Sequence, residues 1–123
     1  DRKNLQDVIA SSAHREIQLM LEEAMRGRVH DWKWEKQGNK NTRVLKGAMG
    51  VLDQIMDKQS LEAEDIVKHL HKLLTEGRLH LMDNDLSKLI ICLAKCEVAI
   101  QKTSQPRIEL EKFMMNVAEI SNQ

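Results

Sequence analysis

The stretch 86–100, LSKLIICLAKCEVAI, constrains this chain more than any other. Wound at about 100° per residue, its leucines, isoleucines, cysteines and alanines occupy nearly the whole circumference. The polar residues reduce to a narrow stripe, Lys88, Lys95 and Lys102, spaced seven apart. A helix this apolar must be wrapped by other helices or by a partner. The expected architecture is therefore a bundle with helix 86–102 at its centre.

The remaining residues favour the same class. There is no tyrosine, one Phe and one Pro, and few β-branched runs, so strands have little to be made from. An all-α fold of about five mostly antiparallel helices follows. The first spans about 5–25 and turns Ile9, Ala13, Ile17, Met20, Leu21 and Ala24 inward, with His14 and Gln18 opposite; Gly27 ends it. The second runs from Thr42 to about Lys58, where Val44, Leu45, Ala48, Met49, Leu52 and Ile55 share a half-turn. Gly47 and Gly50 fall on its other side, a costly placement unless the basic loop or a partner helix approaches that backbone closely. The third is capped by Ser60 and buries Ile66, Val67, Leu70, Leu73 and Leu74. The last starts at Pro106 and turns Leu110, Phe113, Met114, Val117 and Ile120 inward.

One domain spanning residues 1–123 is expected, and a first residue other than Met predicts a fragment of a longer protein. No apolar run approaches the ~20 residues needed to cross a bilayer. Cys92 and Cys96 lie one turn apart on one helix face, where a disulfide would strain the backbone. Free thiols fit a reducing, intracellular setting, cytoplasm or nucleus.

Charge is balanced over the chain, with 19 Lys and Arg against 19 Asp and Glu, but not along it. Residues 26–46 carry Arg26, Arg28, Lys33, Lys36, Lys40, Arg43 and Lys46 against Asp31 and Glu35. Within them, 27–42 breaks the helical period and predicts a basic loop holding both tryptophans, Trp32 and Trp34. Either the tryptophans fold back as a lid on the bundle, or they stand exposed and bind something acidic.

No catalytic pattern is visible: no nucleophile elbow, no H-E-x-x-H, no glycine-rich phosphate loop. His69 and His71 diverge by about 160° on a helix and share no metal. His80 with Cys92 and Cys96 lacks a fourth ligand, so neither metal nor cofactor is expected. Cys92 and Cys96, expected buried among leucines and isoleucines, lack the polar surroundings of a reactive thiolate. Glu97 interrupts the apolar face of its helix, which predicts that the helix leaves the core there or that Glu97 meets a cation. Ile108 and Met115 form a minor apolar ridge outside the main face of the last helix.

The expected function is a non-enzymatic adaptor. It would bind a partner peptide or helix in an apolar groove bordered by the basic loop, using Trp32, Trp34, Arg28, Lys33, Lys36, Lys40, Arg43, Ile108 and Met115. The alternative is an RNA- or single-strand-binding domain working through 26–46, Arg26 included. A third reading is a homodimer that completes the burial of helix 86–102.

Overall fold

The computed structural model describes residues 2–77 and 79–122, with side chains from residue 12 onward. The described residues are mostly helical, forming five helices and a small two-stranded antiparallel sheet. In order these are α1 (Arg2–Met25), β1 (Asp31–Gln37), β2 (Lys40–Lys46), α2 (Gly47–Lys58), α3 (Ala63–Thr75), α4 (Asp83–Ile100) and α5 (Pro106–Ser121).

The inward stripes of α3 and α5 match their sequence periodicity. Ile66, Val67, Leu70, Leu73 and Leu74 are buried on α3, and Leu110, Phe113, Met114 and Val117 on α5. Glu64 and Asp65 sit in the first turn of α3, favourably placed on the positive end of its dipole, and Pro106 opens α5. Ser60 is not the cap of α3. That helix starts at Ala63, and Ser60 instead takes a left-handed conformation in the preceding link.

The bundle is not wrapped around α4. The stripe Ala13, Ile17, Met20, Leu21 and Ala24 is closed off from water, and α1 packs on α2, α3 and α5. Ile9 lies outside the described side chains. Helix α4 packs chiefly on α3 and α5, so Leu89, Leu93, Cys96 and Ile100 are buried while Leu86, Ile90 and Cys92 are half-buried against the core. Ile91 and Val98 stand 56% and 54% exposed. An apolar circumference says that a helix tolerates burial on any side; how many neighbours it receives depends on where the other helices go.

The all-α expectation fails at 31–46, where a hairpin replaces both the loop and the first turn of the expected second helix. Val44 and Leu45 fit a helical wheel with Ala48 and Met49, but they lie on β2. Gln37 and Lys40 are joined by Gly38-Asn39, with Gly38 at φ +64°. A two-residue connection with glycine at positive φ matches the twist of the flanking strands.

The hairpin is anchored by a tight joint. The Ala48 and Met49 N–H groups, which α2 cannot satisfy internally, donate to the carbonyls of Arg28 and Val29 at 2.8 and 3.0 Å. Gly47 (φ +78°) and Gly50 allow it: a Cβ there would stand 2.5 Å from the Arg28 carbonyl oxygen and 2.3 Å from that of Leu45. The close approach expected at these two glycines comes from the chain on either side of the hairpin.

Candidate functional site: a two-faced hairpin

Side chains alternate across a strand, and the register pairs Trp32 with Leu45, Trp34 with Arg43 and Lys36 with Asn41. These six residues form one face. Asp31, Lys33, Glu35 and Gln37 form the other with Lys46, Val44, Thr42 and Lys40.

The two faces differ in charge. On the second, Lys33 Nζ lies 3.8 Å from Asp31 and Lys46 Nζ lies 2.8 Å from Glu35, so both carboxylates of the hairpin are ion-paired there. The first face carries Lys36 and Arg43 and no carboxylate at all. Trp32 and Trp34 are 52% and 70% exposed, which rules out the lid: neither ring closes over the bundle. The Arg43 guanidinium carbon lies 4.9 Å from the centre of a Trp32 ring, a contact worth roughly 0.5–1 kcal/mol at an exposed site. That contact orients Trp32 and Arg43 together and leaves Trp34 uncovered. Leu45, at the root of the face, is half-buried against the core.

The remaining site residues fall into three places. Lys33 and Lys40 lie on the second face, Lys33 already paired. Arg28 sits at the joint with its Nε donating to Glu23 at 2.6 Å, so it belongs to the anchor rather than to the binding face. Arg26 is exposed at the end of α1. Ile108 and Met115 are exposed on α5, where they line a shallow depression of about 310 Å³ with Glu111, Lys112, Asn116 and Glu119. Glu111 lies 3.2 Å from His30 Nε2, which sets this strip beside the root of the hairpin.

Burial, reinforced by Glu109, pushes the Cys96 thiol up to about 11, the wrong direction for a nucleophile. Its Sγ donates to the Glu109 carbonyl at 3.5 Å. Cys92 is not sealed in the core as expected but half-buried beside Lys95, in a depression between α4 and α5. Among the described residues, no group of three or more His, Cys, Asp or Glu side chains is placed to hold a metal ion. No described helix is long and apolar enough to cross a membrane. Glu97 is exposed and lines a cavity of about 350 Å³ between α3 and α4, opposite Lys68 and His71.

His14 does not face solvent. Its Nδ1 lies 3.1 Å from that of His69 across the α1–α3 interface, and its Nε2 lies 3.9 Å from Glu76. Nothing in the sequence pairs two histidines 55 residues apart. The hairpin, in contrast, leaves a trace in the sequence, the alternation Trp32, Trp34, Lys36 followed by Gly38-Asn39. Comparison with protein-family models, with curated proteins and with solved structures finds no match for this chain.

Proposed function

We propose that this protein is a non-enzymatic recognition module that holds an anionic segment of a partner macromolecule on the Trp32–Trp34 face of its hairpin. One observation carries the reading: the only two tryptophans of the chain stand open to water beside Lys36 and Arg43, on a face without a carboxylate. Exposed tryptophan is unfavourable in water unless something covers it, and aromatic and arginine side chains together form the anchors of binding surfaces. A second reading, a partner peptide or helix that continues onto α5, is favoured by the Glu111–His30 contact, which brings the Ile108–Met115 strip alongside. Two free thiols, one buried and one half-buried, suit a reducing, intracellular setting.

Because both tryptophans lie on the proposed face, intrinsic fluorescence reports on it directly. Titration with polyanions at low salt (heparin, polyglutamate, oligonucleotides) is expected to shift or quench the emission. Lys36→Glu with Arg43→Glu is expected to remove the response while the far-ultraviolet circular dichroism stays unchanged. An emission indifferent to every polyanion defeats the reading.

A further inference from the structure

We infer that the ligand of this face is single-stranded nucleic acid, with Trp34 as the stacking platform and Lys36 and Arg43 as the phosphate contacts. The inference rests on the recognition reading above and specifies its partner class.

Three features select a nucleic acid strand over an acidic peptide. Trp34 is 70% exposed and has no cation over its ring, while Trp32, one pleat away on the same face, is held by Arg43. The face therefore offers one free π-surface and one whose position is already set, separated along β1 by about 7 Å. Carboxylate side chains answer the charge of such a face but present nothing flat to stack on it, whereas every base does, whatever the sequence. The cations are also arranged along the strand direction. Arg43 is opposite Trp34 and Lys36 lies one pleat further on, so phosphates on either side of a stacked base meet a positive charge.

The opposite face is the weaker candidate. Lys33 and Lys46 are ion-paired with Asp31 and Glu35, which leaves the Trp-bearing face, with Lys36 and Arg43 and no carboxylate, the more basic of the two. Duplex is disfavoured because paired bases keep their faces stacked on each other. A hairpin entering the major groove reads base edges with hydrogen-bonding side chains, and two indole rings occupy the positions where such side chains would stand.

With about two phosphate contacts, log K is expected to fall against log salt with a slope of about −1.4. The footprint is a few nucleotides and the affinity modest, a dissociation constant of about 10⁻⁴–10⁻⁶ M in moderate salt. The test uses fluorescein-labelled oligothymidylate and oligouridylate, a duplex of mixed sequence and a polyglutamate peptide, each followed by anisotropy and by tryptophan emission. Both oligonucleotides are expected to bind with quenching. Trp34→Ala is expected to weaken them roughly ten- to hundredfold, Trp34→Phe to recover part of that loss, and Thr42→Ala on the opposite face to change nothing. Circular dichroism of each variant establishes that it is folded.

Binding of polyglutamate with no binding of either oligonucleotide overturns this inference and leaves the recognition reading standing. Failure of every polyanion overturns both. Duplex bound as tightly as single strand, or oligonucleotide affinity unchanged in folded Trp34→Ala, overturns the stacking platform.

Discussion

The helical bundle and the hairpin treat large apolar side chains in opposite ways. In the bundle, Phe113, Leu89 and Leu110 are at most 1% exposed, and the core runs unbroken from α1 to α5. The hairpin holds the two largest apolar rings of the chain and leaves both at least half open. Only Leu45 ties its Trp-bearing face to the core. The bundle supplies stability, and the hairpin is an appendage fixed at its root, so its side chains are free to be chosen for something other than burial. Substitutions in the two regions should therefore separate: those in the bundle lower stability, and those on the Trp-bearing face alter binding alone.

The largest effect belongs to the bundle. Phe113→Ala empties the space of the largest fully buried side chain and is expected to destabilise by about 3–5 kcal/mol. Thermal unfolding should then come on the order of 10–20 °C lower. Polyanion binding measured well below the new midpoint should match the wild type. If binding falls along with stability, the hairpin and the core are not separable and the comparison breaks.

Next is the joint that couples the regions. Gly50→Ala pushes a methyl group to 2.3 Å from the Leu45 carbonyl oxygen, so either α2 or β2 must shift, at an expected cost of about 1–3 kcal/mol. Unlike Phe113→Ala, this variant should change both readouts, because the displaced strand carries Leu45 and Arg43. Hydrogen exchange of the Ala48 and Met49 amides, which donate to Arg28 and Val29, should quicken. Unchanged protection there would mean that the joint does not position the hairpin.

Within the bundle, the His14–His69 contact gives stability a dependence on pH. Burial, then His14 and then Lys72 hold the His69 pKa below its ordinary 6.5, with Asp65 opposing. The unfolded chain therefore takes up a proton at a higher pH than the folded one, so this contribution is complete above pH 6.5 and declines as pH falls toward the folded value. The groups facing the pair are Asp65 and Lys72 from α3 and Glu76 just past its end. A neutral or singly protonated pair keeps its N–H···N bond, whereas two imidazolium rings face each other with a donor on each side of the contact and no acceptor. The melting temperature should decrease from pH 7.5 to pH 5, and less so in His69→Gln. Parallel pH profiles for the two proteins would remove the contact from the account.

The divide between the regions also describes what the sequence makes legible. The buried stripes of α1, α3 and α5 follow from spacing alone, because each is a run with one apolar side. The rank of α4 does not, since a wheel reports what a helix would tolerate and not which neighbours arrive. The hairpin was masked by coincidence: Val44 and Leu45 stand at helical spacing from Ala48 and Met49, and that period outweighed the alternation of Trp32, Trp34 and Lys36. The tryptophans and their cations stand out in the sequence, but their division into one bare and one ion-paired face depends on the register. His14 and His69 meet only through tertiary packing.

The smallest expected effect on stability is the one that most sharpens the contrast. Trp34 is 70% exposed, pairs across the ladder with Arg43, and has no core contact to lose. Removing a side chain of that size from a core position costs several kcal/mol, but on an open strand face the loss is confined to cross-strand contact. Trp34→Ala should therefore change stability by no more than about 0.5 kcal/mol, a shift of a few degrees or less in thermal unfolding. Trp32→Ala should cost slightly more, because it also ends the stacking of Arg43 at 4.9 Å. A Trp34→Ala protein that unfolds many degrees early would show that the ring packs against the bundle in solution. The open face, and with it the binding role drawn from its exposure, would then have to be given up, since a ring that stabilises the fold needs no ligand to account for it.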